Sequence, residues 1–169
     1  MKINYYGFRA IYLHEMDRFK RTLLQSLISP VLSTSLYFIV FGSVIGNYVQ
    51  DIDGISYGSY IVPGLIMLTL LTQSISNTSF GIFFPKFNGS IYEILAAPIS
   101  TFEMVIAFVG AGATKTMIIG AVIFLTSMYF VEVSVLHPFL MIFLLVLVSF
   151  TFALFGFLIG LMSSNFEQM

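Results

Sequence analysis

PVLSTSLYFIVFGSVIGNYV, residues 30–49, contains no charged side chain over 20 residues. A helix rises about 1.5 Å per residue, so a run of this length crosses the roughly 30 Å hydrocarbon layer of a bilayer. Ser29 and Pro30 stand where a helix cap and a first helical turn are expected. We therefore predict a first membrane span over residues 30–49, beginning at Ser29-Pro30.

The composition of the whole chain supports lipid as its solvent. Of its 169 residues, 9% are charged and 58% are apolar, and the mean hydropathy is +0.98. A soluble domain has about 25% charged and 45–50% apolar residues. A single core of this size cannot hide so much apolar surface from water. We predict an all-α, polytopic membrane protein.

Three further apolar stretches predict three more spans. The second covers residues 58–84 and the fourth covers residues 137–162, which begin with His137-Pro138. The third covers residues 108–131, within a helix that begins near Thr101. Lys115 lies close to the boundary of this span, where its ammonium can snorkel to the headgroups.

Residues 5–24 predict an amphipathic helix before the first span. Apolar side chains recur at steps of three or four, which places them on one face: Phe8, Tyr12, Met16, Phe19 and Leu23. Basic side chains, including Arg18 and Arg21, occupy the rest of the circumference. An interfacial helix lying on the membrane fits this pattern, and an ordinary amphipathic helix packed on protein is the alternative.

A short separate helix is predicted within residues 90–98, between the second and third spans. Asn88-Gly89 is a turn signal, Ser90 and Glu93 have the spacing of a capping box, and Pro98 ends the helix. Ser100 and Glu103 form a second capping box. A helix this short is marginal in water. It needs a surface, which can be the headgroup layer, the ends of the protein's own helices or a soluble partner.

The distribution of basic residues predicts the orientation. Five of the seven lie before the first span, Lys86 lies between the second and third spans, and Lys115 borders the same side. The other two loops contain none. By the positive-inside rule, both termini and the short helix are cytoplasmic.

Polar residues within the second span need partners in hydrocarbon. Thr69, Gln73 and Asn77 fall at steps of four, and Ser74 and Thr78 lie on a neighbouring strip. The first strip can line a transport pathway, and hydrogen-bond contacts between helices are the alternative.

Small residues at four-residue steps predict close helix contacts. They are Gly42 and Gly46, then Gly112, Thr116 and Gly120, then Gly156 and Gly160. We favour packing within one chain over dimerisation.

No pattern of catalytic residues occurs. His14 and His137 lie at opposite membrane faces and cannot share a metal, and the sequence has no cysteine. Residues 110–116 resemble a phosphate loop faintly, but they lack the glycine before the lysine and follow no strand. We expect no enzyme activity, no metal and no cofactor in this chain. The net charge of −1 suggests no nucleic-acid partner.

The order of these parts resembles the ABC-2 type permeases, the membrane subunits of ATP-binding-cassette exporters, and is closest to the bacterial inner-membrane group for multidrug or polysaccharide export. The resemblance covers essentially the whole chain, and the residues that carry it lie between Ser29 and Pro98: Ser29-Pro30, Tyr37-Phe38, Phe41-Gly42, residues 62–67 (VPGLIM), residues 84–87 (FPKF) and residues 91–95 (IYEIL) up to Pro98.

The resemblance implies that the short helix is a coupling helix that docks on a separate ATPase subunit, which binds the ATP. The residues that would form this contact are Lys86, Phe87, Ile91, Tyr92, Glu93, Ile94, Leu95 and Pro98. The N-terminal helix would be the connecting helix at the inner surface. A second permease copy, such as a homodimer partner, would complete the pathway. These permeases have six spans, and this chain has four, so we expect a truncated product. A membrane scaffold or sensor subunit that recruits a cytoplasmic protein without transport is the alternative function.

Overall fold

The structure, a computed structural model, describes residues 4–45, 56–131 and 135–165, with side chains described only up to residue 41 in the first range. The predicted Gly42/Gly46 contact, Lys2 and most of the loop after the first span therefore lie outside the described residues.

The described part of the chain is helical and contains no strand. Its elements are α1 (Tyr5–Arg21), α2 (Leu23–Tyr37) continued by a π-helical segment (Phe38–Ile45), α3 (Tyr57–Asn88), α4 (Ile91–Ala96), α5 (Thr101–Phe130) and α6 (Pro138–Met162). Four segments are long and apolar enough to cross a membrane: Leu23–Phe41, Tyr57–Asn88, Thr101–Phe130 and Pro138–Met162. The prediction of an all-α, polytopic membrane protein is confirmed.

Helix α5 is the centre of the bundle. In its most apolar stretch 61% of the residues are buried, against 17–22% for the other three spans. It packs against α1, α2, α3 and α6. Small residues make this possible, because the run of glycine and alanine at residues 110–113 is entirely buried and lets neighbouring backbones approach.

Two of the three small-residue motifs pack within the chain. A Cβ built on Gly156 would lie 2.5 Å from the carbonyl oxygen of Ile75, and one on Gly160 would lie 2.5 Å from that of Ser79. Helix α6 therefore touches the backbone of α3. In the same way, Gly112 of α5 accommodates the side chain of Thr78 on α3. The motifs of α5 and α6 therefore make close contacts within one chain.

The predicted start of the first span at Ser29-Pro30 is wrong. Helix α2 begins at Leu23, directly after Thr22, and Pro30 lies inside it. A proline removes one helical hydrogen bond. Here the helix continues because Leu23 and Leu27 pack against the buried side chains of Phe19 and α5. Thr34 donates its hydroxyl to the Pro30 carbonyl oxygen at 2.7 Å.

Helix α1 runs beside the first half of α5, in the same direction. The amide of Asn4 contacts Glu103, the hydroxyl of Tyr12 donates to Thr114 at 3.0 Å, and Phe19 packs against Ile119. The apolar stripe of α1 therefore packs on protein and not on the membrane surface. This is the alternative of an ordinary amphipathic helix. The reason is that α5 offers a long face of small buried residues that α1 can cover.

The turn between α3 and α4 differs from the predicted capping box. Gly89 has the expected left-handed conformation, with φ of 81°. The Ser90 side chain, however, does not cap α4, because its hydroxyl and amide both donate to Oδ1 of Asn88, at 2.7 and 3.0 Å. Asparagine competes for such local donors in turns. The second box is present, with Ser100 and Glu103 each accepting the other's backbone N–H.

Candidate functional site

Helix α4 presents two different faces. Ile91 and Ile94 point inward and pack against the main apolar core. Tyr92 is 73% exposed and Leu95 is 59% exposed, and Glu93 is exposed between them. The inward isoleucines supply the surface that so short a helix requires, so the protein's own helices hold α4 in place.

Large apolar side chains flank this outer surface. Phe87 at the end of α3 is 64% exposed and Phe102 at the start of α5 is 73% exposed. We call Phe87, Tyr92, Leu95 and Phe102 the α4 face. Phe87 and Phe102 lie at the ends of two candidate spans, and Tyr92 and Leu95 lie in the connection between them, where exposed apolar side chains are typical of a protein interface.

A cavity of about 380 Å³ lies beneath α4. Its lining includes Ile11 and His14 from α1 and Glu93 and Ile94 from α4. The inner side of α4 therefore borders open space as well as packed side chains.

Besides Ile91 and Ile94, two of the residues predicted to couple to an ATPase make hydrogen bonds within the chain. The Lys86 ammonium donates to the carbonyl oxygens of Leu161 and Ser163, at 2.7 and 2.8 Å. It thereby caps the C-terminus of α6, where a cation is favoured. The Pro98 carbonyl oxygen accepts a hydrogen bond from the Asn4 side chain at 3.0 Å.

Asn4 ties the start of α1 to the segment between α4 and α5, a contact that the sequence analysis missed. Its backbone N–H donates to Oε1 of Glu103 at 2.6 Å, and its side-chain oxygen caps α1 by accepting from Gly7 at 3.2 Å. The backbone N–H groups of Ser100 and Asn4 lower the pKa of Glu103 below its ordinary value of 4.5. The sequence does contain a signal for the cap, because asparagine is a common N-cap residue and Asn4 stands just before the helical pattern of α1.

An ion cluster joins α1 to the middle of α5. Nζ of Lys115 and Nη2 of Arg18 each lie 2.7 Å from Oε2 of Glu15. The side chains of Lys115 and Glu15 are both 3% exposed. The prediction that Lys115 snorkels to the headgroups is therefore wrong. Its burial is tolerated because Glu15 offsets the cost of removing the ammonium from water.

Glu15 was also missed, although its position gave a signal. It lies four residues after Ile11 and four before Phe19, and these three are the buried residues of α1. A carboxylate on the apolar face of an amphipathic helix indicates a buried cationic partner. Arg18 belongs to the same cluster, while Arg21 is exposed.

The polar strips of α3 have different surroundings. Ser74 and Thr78 are buried, and the Ser74 hydroxyl donates to the carbonyl oxygen of Ser149 on α6 at 3.0 Å. The strip of Thr69, Gln73 and Asn77 is half-buried. Asn77 donates to Gln73 at 3.3 Å, and Thr69 donates to its own helix at Leu65. A pathway role for this strip stays a prediction.

The described residues contain no group of three or more histidine, aspartate or glutamate side chains that could hold a metal ion. The described helices form a bundle of four candidate membrane spans in which α4 turns Tyr92 and Leu95 outward.

Comparison with known proteins assigns the chain to a family. The family model described as ABC-2 type transporter matches residues 6–169. Proteins named inner membrane transport permease YadH, from Escherichia coli strain K12, Escherichia coli O157:H7 and Shigella flexneri, are each 35% identical to it over 170 aligned residues. The alignments cover all of this chain and 66% of each relative, so the chain spans just under two thirds of their length. No solved structure matches it significantly. The chain belongs to the ABC-2 type transporter family.

Proposed function

We propose that this chain is the membrane-spanning permease part of an ATP-binding-cassette transporter of the bacterial inner membrane. ATP is bound and hydrolysed by a separate ATPase subunit that docks on the α4 face. The observation that carries the proposal is the family match over residues 6–169 together with an outward-facing apolar helix in the connection between two spans.

The α4 face has the chemistry of an interface anchor. Aromatic side chains contribute most to binding when a partner covers them, and Tyr92 and Phe87 are largely uncovered here. Glu93 adds a charge that a basic residue of the partner can pair with. Ile91 and Ile94 face the core, so their part is to hold α4 in position.

The connections of α4 supply a route for force. Gly89 joins α4 directly to the end of α3, and residues 97–100 join it to α5. The Asn4 contacts with Pro98 and Glu103 link the same segment to α1. A push on α4 would therefore reach three helices, and the cavity beneath α4 gives the first movement its room.

The orientation in this proposal follows the basic residues. Arg9, Lys20 and Arg21 belong to α1, before the first span, and Lys86 lies at the end of α3, two residues before the turn into α4. With these residues at the cytoplasmic face, α4 is accessible to a cytoplasmic ATPase and both termini are cytoplasmic. A second permease copy completes the substrate pathway, and export is the direction that family resemblance favours.

Photo-crosslinking in cells tests the docking surface. A photoreactive amino acid replaces Tyr92 in one variant and Tyr129 in another. Both tyrosines are exposed, but Tyr129 lies at the end of α5 that is far from α4. We expect an ATP-binding-cassette ATPase, identified by mass spectrometry, to be crosslinked from position 92 and not from position 129. Crosslinks from both positions, or only from position 129, would refute the assignment of α4.

A substitution gives the energetic test. Tyr92→Ala removes a candidate anchor, and we expect it to weaken co-purification of the ATPase by about tenfold or more, as loss of a hot-spot side chain does. Tyr129→Ala serves as the matched control and leaves co-purification unchanged. Normal ATPase binding by both variants would contradict the proposal. ATPase binding without transport would favour the scaffold alternative.

A further inference from the structure

A second cavity, of about 340 Å³, lies where α1 passes into α2 beside α3 and α5. Six polar or charged residues contribute to its lining: Arg18, Thr22, Ser26, Ser76, Asn77 and Lys115. Phe19 and Phe80 form the apolar part of the wall. None of these lining residues is acidic. The proposed docking of an ATPase on α4 makes no use of this cavity.

The cavity adjoins an unbalanced positive charge. Arg18 and Lys115 contact the same carboxylate oxygen, Oε2 of Glu15, so the ionised cluster has a net charge of +1. A buried net charge is costly unless a counter-charge reaches it. Glu15 itself lines the cavity beneath α4 and not this one. Both cationic residues, Arg18 and Lys115, therefore line this cavity, whereas their carboxylate partner does not.

The donors that line the cavity suit a phosphate group. A guanidinium has five N–H donors, and Arg18 contacts Glu15 through its Nη2 nitrogen. This side chain is held over the Phe80 ring, 5.4 Å from its centroid, and is 26% exposed. Ser26 and Ser76 add hydroxyl groups. Thr22 adds no free proton, because its hydroxyl already donates to the carbonyl oxygen of Arg18.

The cavity lies beside a change from charged to apolar sequence. The last turn of α1 is basic, with Arg18, Lys20 and Arg21, and α2 begins at once with Leu23 and Leu24. This change from charged to apolar sequence at Thr22 is typical of a membrane–water boundary. Basic pockets between helices at this depth attract anionic headgroups.

We propose that this cavity is a binding site for a phosphate-bearing anion, with Arg18 and Lys115 as its charged ligands. The phosphate can come from a phospholipid headgroup of the surrounding leaflet or from free phosphate in solution. In either case the anion neutralises the buried cluster and joins α1 to α3 across the cavity.

Native mass spectrometry of the purified chain in a neutral detergent tests the site. The three probes are phosphatidylglycerol, diacylglycerol with the same acyl chains, and inorganic phosphate. We expect phosphatidylglycerol to bind and diacylglycerol not to bind. If phosphatidylglycerol stays bound in millimolar inorganic phosphate, the natural ligand is a phospholipid headgroup. If inorganic phosphate displaces it, the natural ligand is free phosphate. Equal binding of phosphatidylglycerol and diacylglycerol would overturn the proposal.

Matched arginine substitutions locate the site. Arg18→Gln removes a cavity donor, whereas Arg21→Gln removes the same charge from the exposed surface of the same turn. We expect Arg18→Gln to weaken binding of the retained probe by about tenfold, as loss of a charge-assisted hydrogen bond does, and Arg21→Gln to change it far less. The double variant Ser76→Ala/Asn77→Ala, which leaves the ion cluster intact, should also weaken binding. Equal effects of the two arginine variants, or no effect of the double variant, would refute the site.

Discussion

The ammonium of Lys115 lies 2.7 Å from a carboxylate oxygen of Glu15, 100 residues earlier in the chain, and both side chains are 3% exposed. This pair fixes α1 to the central span at a point where both charges are largely shielded from bulk water. Since Arg18 binds the same oxygen, Glu15 is the residue on which the cluster depends.

Replacing Glu15 should therefore destabilise the fold more than replacing Lys115. Glu15→Gln leaves two cations without a counter-charge, and we expect it to lower the free energy of unfolding by about 3–5 kcal/mol. Lys115→Met leaves Glu15 paired with Arg18, so its cost should be smaller. Unfolding in mixed micelles of rising denaturing-detergent fraction measures both. Asp17→Asn, in an exposed pair with Lys20, is the control and should cost less than about 1 kcal/mol. Equal losses for Glu15→Gln and Asp17→Asn would contradict the role of the cluster.

The contact between α3 and α6 requires glycine. Gly156→Ala places a methyl group against the Ile75 backbone, and such overpacking should lower the free energy of unfolding by about 1–3 kcal/mol. Gly64→Ala is the matched control, because no described atom lies within 4 Å of a Cβ built there. That variant should be neutral or more stable by up to about 1 kcal/mol, since alanine favours a helix. The same detergent titration measures the free energy of unfolding of both variants. Equal values for the two would show that α3 and α6 do not touch as described.

The capping box of α5 should make stability depend on pH. Hydrogen bonds from Ser100 and Asn4 lower the pKa of Glu103, so the folded state favours the carboxylate. Its stabilising contribution is complete above the ordinary value of 4.5 and is lost as the pH falls through the lower folded pKa. We expect the difference in thermal midpoint between the wild type and Glu103→Gln to be constant above about pH 6 and to shrink in acid. If this difference in thermal midpoint instead grew as the pH fell, the folded state would not favour the Glu103 carboxylate.

Lys86 offers a way to separate a structural role from a coupling role. Lys86→Gln removes the cation at the C-terminus of α6, and we expect a loss of about 1 kcal/mol in unfolding free energy, with faster hydrogen exchange in the last turn of α6. Lys86→Arg retains the charge and should retain most of the stability. Co-purification of the ATPase should be unchanged in Lys86→Gln. Loss of ATPase binding with normal α6 exchange would instead place Lys86 in the docking surface.

The features that depend on neighbours in sequence were predictable. The apolar runs, Pro138 after His137 and the Ser100–Glu103 box lie where the residue order indicated, and the structure has α3, α5 and α6 there. These features follow from helix length, periodicity and capping, which involve residues a few positions apart. Pro30 has the sequence signal of a helix start, but packing of Leu23 and Leu27 against Phe19 and α5 carries the helix through it.

The contacts that define the site were decided by the tertiary structure alone. Glu15 with Lys115, Asn4 with Glu103, and Lys86 with Leu161 join residues 100, 99 and 75 positions apart. No local pattern specifies which buried carboxylate meets which buried cation, because that depends on how α1 lies along α5. The sequence by itself determined a four-span helical membrane protein with a short helix between its second and third spans. The structure decided which side chains of that helix face outward, since only the packing of Ile91 and Ile94 on the core leaves Tyr92 and Leu95 exposed.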